Sequence, residues 1–419
     1  MRHIKRAIED VVLHLDKTFK CVLVTGARQT GKTETIKKLF SDRKYASLDD
    51  PFVEDLANNN PNMFLTLNQP PVVYDEVQLA PGLFGRIKTA CDESGKSGLF
   101  CLAGSQPLEL TEIASESLAR RVGIVEIAPL SQREINADPF DEPFLPTLDY
   151  VLKRNASAKT PKNLWERIHR GGYPALQDPA VDWGAFFSGY VKTYLERDVR
   201  RTTAVQNLND FRRFMVAVAA RTGQIVNYSA VANEIGKDQT TVKAWISILE
   251  ATGVAFLLKP FVSKSLMRAI KAPKLYFRDT GLAAYLTRWL TPETLASGAM
   301  SGAFFETFAV SEILKSYSNR GLDYRNSVSY YRGRDKKRLR RNGKEVAIES
   351  EIDLIVEENG VLYPVEINRN ATVDADQTSA FTILDRVDGR KRGSGAVVCD
   401  CPRPGALKDD VLQIPVWFI

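Results

Sequence analysis

The chain has 419 residues, 44% of them hydrophobic, and its 57 lysine and arginine residues are nearly balanced by 51 aspartate and glutamate residues. This length predicts about three domains with packed cores. The net charge of +6 allows a polyanionic partner without requiring one. No apolar run approaches the roughly 18 residues of a membrane span, and five scattered cysteines predict reduced thiols and a cytoplasmic protein.

A phosphate-binding motif lies close to the start of the chain. Apolar spacing predicts an amphipathic helix over residues 3–16 and then a strand over residues 21–25. The next octapeptide matches G-x-x-x-x-G-K-[ST], and its residues are Gly26, Ala27, Arg28, Gln29, Thr30, Gly31, Lys32 and Thr33. With a helix predicted at 34–40, this setting predicts a phosphate-binding site, and the alternative is a glycine-containing turn that happens to precede a helix. In such a site, Lys32 is expected to neutralise the β- and γ-phosphates, and Thr33 is expected to ligate Mg²⁺.

Strands alternate with helices after this motif. The predicted strands are 45–48, 72–75, 99–103 and 124–127, and helices are predicted at 52–58 and 83–93. This alternation predicts an α/β fold with a parallel sheet covered on both faces, in a first domain over residues 1–142.

Polar residues at the strand ends are candidates for catalysis. ATP hydrolysis needs an acid that holds Mg²⁺ and a base beside the attacking water, and adjacent Asp75 and Glu76 can supply these two roles. Ser105 or Gln106, after the next strand, can contact the γ-phosphate, or they form a plain turn. Arg121 can complete the γ-phosphate site in cis or in trans, or it is an ordinary surface residue.

The middle of the chain is predicted as a helical linker region, 143–207, and a winged helix-turn-helix, 208–275. Ser229 and Asp238 are predicted to cap its second and third helices. The residues predicted to face DNA are Gln239, Thr240, Thr241, Lys243, Ser247 and Glu250 on the third helix and Lys259, Lys264 and Arg268 in the wing. Such residues can bind a major groove, although winged helices also serve as packing modules.

The C-terminal region, 276–419, opens with a helix and becomes rich in strands, predicted at 328–332, 351–356, 362–367 and 395–398. Glu306 lies on the helix, and Asp353 and Glu366 lie on neighbouring strands. The run from 332 to 341 is the most basic stretch of the chain and is predicted to bind nucleic acid or to form a solvated loop.

Two resemblances follow from these motifs. The P-loop with residues 72–76, 103–106 and 117–134 resembles the AAA+ type of P-loop ATPase. The segments 170–174, 194–198, 274–282 and 302–306 are similar to a prokaryotic family that joins such an ATPase to a poorly characterised C-terminal region. The resemblance implies that Asp75 is the Mg²⁺ partner, Glu76 the catalytic base and Ser105 the sensor. Arg120 stands where the family usually has glycine.

The acidic residues of the C-terminal region resemble the PD-(D/E)xK nuclease core, an α/β restriction-endonuclease-like fold. The resemblance implies that Asp353 and Glu366 hold Mg²⁺, with Glu306 as a third carboxylate. Asn368 occupies the position of the catalytic lysine, and a neutral amide cannot stabilise a developing phosphorane charge. We therefore expect a degenerate nuclease-like domain.

These observations predict an ATP-binding, Mg²⁺-dependent ATPase that moves a winged-helix and nuclease-like region, with DNA as a candidate partner. A homo-oligomer or a protein partner is expected to supply an arginine. The alternatives are a DNA-binding regulator, a nucleotide-gated interaction switch and a metal-dependent nuclease.

Overall fold

The protein is described from a computed structural model that covers residues 4–105, 107–200, 205, 207–266, 269–339 and 345–419. Gln106 and Arg268 lie outside these residues, as do the last two residues of the basic run. Within the covered ranges, no helix is both long and apolar enough to cross a membrane. All five cysteines are buried free thiols.

A five-stranded parallel sheet forms the N-terminal part, with strand order β2-β3-β4-β1-β5. Its elements are α1 (Glu9–Thr18), β1 (Cys21–Thr25), α2 (Lys32–Leu39), β2 (Lys44–Ser47), α3 (Pro51–Asn59), α4 (Pro61–Leu67), β3 (Val72–Asp75), α5 (Leu83–Glu93), β4 (Phe100–Ala103), α6 (Pro107–Ser117), β5 (Val122–Glu126) and α7 (Gln132–Ile135). Every residue of β1, β3 and β4 is buried, because separate apolar clusters cover the two faces of the sheet. The α/β prediction for this region is confirmed.

The strand order brings the predicted catalytic residues together. β4 lies between β1 and β3, and all three strands run in the same direction. The P-loop follows β1, Asp75 ends β3, and Ser105 follows β4. Since parallel strands share one carboxyl edge, these groups meet there.

A helical region with a small antiparallel sheet follows. Its elements are α8 (Leu148–Ser157), α9 (Leu164–Arg170), α10 (Trp183–Tyr194), α11 (Leu208–Ala219), β6 (Gln224–Ile225), α12 (Tyr228–Ile235), α13 (Gln239–Ala251), β7 (Ala255–Leu258) and β8 (Lys274–Phe277). The sheet order is β6-β8-β7. Asp238 caps α13 as predicted. The prediction of Ser229 as the cap of α12 is wrong, because Asn227 lies at the N-terminus of that helix and accepts from the N–H of Ala230.

The segment between β7 and β8, predicted as a wing, lies against the C-terminal sheet. The N–H of Phe261 donates to the carbonyl of Tyr330 (2.6 Å), and the N–H of Ile270 donates to the carbonyl of Arg332 (2.7 Å). The backbone of this segment is therefore engaged within the protein.

The C-terminal part packs helices on a mixed sheet with the order β14-β15-β13-β11-β10-β9, in which β12 also pairs with β11. Its elements are α14 (Thr280–Leu286), α15 (Pro292–Ser297), α16 (Ser301–Ser318), β9 (Val328–Leu339), β10 (Glu345–Glu358), β11 (Val361–Asn368), β12 (Lys391–Arg392), β13 (Gly395–Cys399), β14 (Gly405–Lys408) and β15 (Val411–Pro415). The basic run is not a loop over its first eight residues, because residues 332–339 extend β9 and pair with β10. One continuous apolar cluster runs from Phe144 to Ile419, so the three regions predicted after residue 142 share a core.

Candidate nucleotide-binding site

The P-loop joins β1 to α2 in the conformation that its glycines permit. Gly31 has φ +90° at the N-terminus of α2, a backbone angle that side-chain-bearing residues rarely adopt. The ammonium of Lys32 is buried and donates to the carbonyls of Gly26 (2.9 Å) and Ala27 (2.8 Å). Burial lowers the pKa of Lys32 to about 8, although the charges of Glu76 and Asp75 oppose the shift.

The side chain of Asp75, at the end of β3, lies beside that of Thr33 in the first turn of α2. The hydroxyl of Thr33 donates to Asp75 Oδ2 (2.8 Å), and the hydroxyl of Tyr45 donates to the same oxygen (2.7 Å). Burial, assisted by the hydrogen bond to Asp75, raises the pKa of Tyr45, so the phenol stays a donor. A hydroxyl beside a carboxylate is a donor set that fits Mg²⁺, which prefers oxygen ligands.

Glu76 is linked to Ser105 through a side chain that the sequence interpretation missed. Ser105 Oγ donates to Glu76 Oε2 (3.1 Å), and Gln78 Nε2 donates to the same carboxylate oxygen and lies 3.2 Å from Ser105 Oγ. A Cβ at Gly104 would lie 2.2 Å from Gln78 Oε1, so a larger residue there would displace the Gln78 side chain. The one sequence feature that could have indicated this role is the position of Gln78, two residues after Glu76.

Glu76 itself has φ +55°, a left-handed conformation that costs a non-glycine residue about 1–2 kcal/mol. Such strain is found where the surrounding structure fixes a functional side chain. The strained backbone directs Glu76 towards Ser105, while Asp75 faces Thr33.

An arginine outside the motif supports the back of the P-loop. Arg6 Nη1 donates to the carbonyl of Thr30 (2.7 Å), Arg6 Nη2 to the carbonyl of Ala128 (2.7 Å), and Arg6 Nε to Glu134 Oε1 (2.8 Å). Both charged side chains of the ion pair are almost fully buried. Burial would raise the pKa of Glu134, but Arg6 and the N–H groups of Ser131 and Ala7 hold it below its usual value.

Comparison with known protein families gives the class of this region. Residues 18–136 match the model of an AAA domain. The N-terminal part of the chain is an AAA-type P-loop ATPase domain. Residues 161–293 and 301–419 match two models described as domains of unknown function, DUF8612 and DUF4143.

Two mycobacterial proteins align with most of the chain. They are the uncharacterized protein Rv2008c of Mycobacterium tuberculosis and the uncharacterized protein Mb2031c of Mycobacterium bovis, each 26% identical over 397 residues, which cover 94% of this chain and 79% of theirs. Among solved structures, the chain is similar to the Walker-type ATPase paby2304 of Pyrococcus abyssi (13% identity, TM-score 0.42, 68% of this chain and 96% of that one). It is also similar to AMPPCP-bound DnaA from Aquifex aeolicus (13% identity, TM-score 0.28, 58% and 85%).

Residues that follow the AAA domain in the sequence lie against its P-loop. Arg28 Nε lies 2.5 Å from Asp198 Oδ2, in the helical turn that continues α10. A Cβ at Gly31 would lie 3.4 Å from Cγ of Pro174. Of the family-like segments, 194–198 therefore contacts the phosphate-binding loop through an ion pair, and 170–174 ends close to it.

Arg121 lies far from the P-loop of its own domain. It immediately precedes β5, and its carbonyl accepts from the N–H of Cys21 at the start of β1, so it occupies the amino edge of the sheet. Its side chain pairs with Asp92 on the surface, and the prediction of a role in cis is wrong. Arg120 has φ +67°, which is the conformation that glycine would favour at this position.

The residues predicted to face DNA divide into two groups. Gln239, Thr240, Lys243 and Ser247 are exposed along α13, whereas Glu250 is half-buried. Lys259 and Lys264 are exposed, but their segment is the one bonded to β9.

The predicted carboxylates of the C-terminal region do meet. Asp353 Oδ1 and Glu306 Oε1 both lie within 3.3 Å of Lys274 Nζ, and Glu366 is hydrogen-bonded to Asp353. Burial raises the pKa of Glu306 to about 7, and the charge of Asp353 adds to the shift. Asn368 instead donates to Gln377 (2.9 Å). Sequence interpretation missed Lys274, which lies on β8.

Proposed function

We propose that the protein is an Mg²⁺-dependent ATPase in which the nucleotide controls how the P-loop engages the region after the AAA domain. The observation that carries this proposal is the convergence of Lys32, Thr33, Asp75 and Glu76 at one edge of the sheet. Each of these groups has the chemistry that its role requires.

The residues divide the work of phosphoryl transfer between them. Lys32 binds the β- and γ-phosphates, and Thr33 with Asp75 holds Mg²⁺, which neutralises charge on those phosphates. Glu76 accepts a proton from the attacking water. Ser105 and Gln78 orient the Glu76 carboxylate through their hydrogen bonds.

Lys32 provides the link between nucleotide and loop. To bind phosphate oxygens, its ammonium exchanges the carbonyls of Gly26 and Ala27 for the ligand. Arg28 lies in the same loop and is paired with Asp198, so a change of loop conformation reaches the end of α10. Transmission through this ion pair is the proposed coupling.

Turnover by an isolated copy is expected to be slow. The site needs an arginine to stabilise the transferred phosphoryl group, and Arg121 lies at the opposite edge of its own sheet. We propose that a second copy or another protein supplies that arginine. Arg121 is a candidate for this role in trans, which would require it to leave its pairing with Asp92.

The pH dependence of ATP binding tests the role of Lys32. Only the charged ammonium binds phosphate well, and its pKa near 8 in the free protein means that affinity falls as the pH rises above 8, by up to about tenfold per pH unit. A Lys32→Arg variant keeps its charge at pH 10 and is expected to show no such fall. Isothermal titration with Mg²⁺ and ATP between pH 7 and pH 10 measures both slopes.

Lys32→Ala serves as the control and is expected to bind no ATP. If it binds as tightly as the wild type, the proposed site is wrong. Turnover measured with and without duplex DNA, at two salt concentrations, tests α13 as a DNA contact, because any phosphate contact made by Lys243, the one basic residue of this helix, weakens with salt.

The Arg28–Asp198 pair is tested by hydrogen exchange of residues 195–199 with and without ATP. The wild type is expected to change its exchange rates at these amides by about fivefold or more, and Arg28→Ala is expected to lose the response while it still binds ATP. Arg43→Ala is the matched control, because it breaks an ion pair with Asp16 inside the AAA domain. An unchanged response in Arg28→Ala would show that another contact carries the coupling.

A further inference from the structure

The acidic cluster of the C-terminal region surrounds a cation that belongs to the chain itself. Lys274 Nζ lies 2.6 Å from Glu351 Oε1, 3.1 Å from Glu306 Oε1 and 3.3 Å from Asp353 Oδ1. An ammonium has three hydrogens and no lone pair. Three carboxylates therefore satisfy all the donors of Lys274.

The position of this ammonium is fixed by the backbone. Lys274 is the first residue of β8, and it pairs with Ile225 of β6 on one side and with Leu258 of β7 on the other. Its side chain is only 3% exposed, and the nitrogen lies 5.5 Å from the ring centre of Tyr330.

The carboxylates around Lys274 are also committed to other partners. Asp353 Oδ2 accepts from the N–H of Ile367 (2.9 Å), and Glu306 Oε1 accepts from the hydroxyl of Tyr276 (2.6 Å). Glu366 is hydrogen-bonded to Asp353. The carboxylates around Lys274 are therefore already engaged within the protein.

A divalent metal does not fit among these groups. Mg²⁺ requires oxygen ligands at about 2.0–2.1 Å, and a metal bound by the same oxygens would lie almost in contact with the Lys274 ammonium. In the part of the chain that the structure covers, no group of three or more histidine, cysteine, aspartate or glutamate side chains is arranged to hold a metal.

We infer that Lys274 replaces the divalent cation of the nuclease-like core, so that the C-terminal region binds no catalytic metal and its acidic cluster is an internal ionic lock. The lock joins β8 of the middle region to α16 and β10 of the C-terminal region. This assignment departs from the expected Mg²⁺ site at Asp353 and Glu366, and it is independent of the ATPase.

The first arm of the test uses the full-length wild-type protein. Mn²⁺ binding is followed by electron paramagnetic resonance, and plasmid cleavage is measured with Mg²⁺ or Mn²⁺, each for the wild type and for Asp353→Asn. The expected result is that Asp353→Asn changes neither signal. Mn²⁺ binding or cleavage that disappears in Asp353→Asn would overturn the inference.

The second arm removes the ammonium. Lys274→Met leaves the carboxylates without a cation, so it is expected to lower the melting temperature and to gain Mn²⁺ affinity at least about tenfold above the wild type. Added Mn²⁺ is expected to raise the melting temperature of Lys274→Met. The double variant Lys274→Met/Asp353→Asn is expected to show no such rise. If Lys274→Met gains no Mn²⁺ binding, the ammonium does not occupy a cation site.

A matched control separates this effect from general loss of a buried charge. Lys315→Met breaks a different buried ion pair, with Glu312, and is expected to lower stability without any gain of Mn²⁺ binding. Should Lys274→Met fail to fold, Lys274→Met combined with Glu351→Gln and Glu306→Gln is expected to restore folding, because the uncompensated charges are gone. Failure of that triple variant to fold would count against the lock.

Discussion

Glu76→Gln is expected to lower ATP turnover by about 100-fold to 1,000-fold while ATP affinity stays within about threefold of the wild type. The amide cannot accept a proton from the attacking water. It keeps the size of the carboxylate and can still accept from Ser105 Oγ, which lies 3.1 Å from Glu76 Oε2. Phosphate release at saturating ATP measures turnover, and nucleotide titration measures affinity.

The matched control is Glu34→Gln, because Glu34 is an exposed acid in the first turn of α2. Glu34 lies beside the P-loop but takes no part in the proposed activation of water. The turnover of Glu34→Gln is therefore expected to equal that of the wild type. Retention of more than half of the turnover in Glu76→Gln would mean that another group activates the water. A parallel loss of ATP affinity would mean that Glu76 supports binding rather than chemistry.

The sequence was sufficient to predict the AAA domain because its signals are local. The predicted strands match β1 to β5 within about two residues. The sequences of β1, β3 and β4 are almost continuously apolar because these strands are buried on both faces. Asp75, Glu76 and Ser105 were found because each lies at or just after the end of a strand of one parallel sheet. Helices α4 and α6 were missed, because neither has a long apolar repeat.

The contacts between the regions of the chain could not be predicted from the sequence. Arg28 meets Asp198 across 170 residues of sequence, and Lys274 meets Asp353 across 79. Nothing in residue spacing gives a distance between such positions. The family-like segments marked both places without indicating what they contact.

The predicted DNA-binding wing lies against the C-terminal sheet for a reason that residue spacing also could not show. Lysines in a loop after a strand suggested a projecting wing. The loop instead pairs with β9, which begins about 60 residues later in the chain, so a local sequence pattern could not indicate this contact. The backbone of the loop pairs with that strand, which leaves the exposed face of α13 as the surface for the proposed DNA contact.

Arg6→Met is expected to lower the free energy of unfolding of the AAA domain by about 3–5 kcal/mol, because it leaves the Glu134 carboxylate buried without its counter-charge. Arg6 also holds the carbonyls of Thr30 and Ala128, so ATP affinity is expected to fall as well. Hydrogen exchange of the β1 and β4 amides in the full-length protein measures the local stability without assuming a two-state transition.

Glu134→Gln in the Arg6→Met background is the decisive comparison. The amide removes the buried charge, so the double variant is expected to recover part of the stability, although Thr30 still lacks its donor and ATP affinity stays low. Arg121→Met breaks a surface pair with Asp92 and is expected to cause no measurable loss of stability. If the double variant were no more stable than Arg6→Met, loss of the Thr30 and Ala128 contacts would account for the whole effect. The P-loop would then owe its rigidity to hydrogen bonds rather than to the buried ion pair.

The stabilising contribution of Glu134 also depends on pH, because its pKa in the folded protein lies below the usual value. The contribution is present above the unfolded-state pKa of about 4, and it is lost as the pH falls through the folded-state pKa.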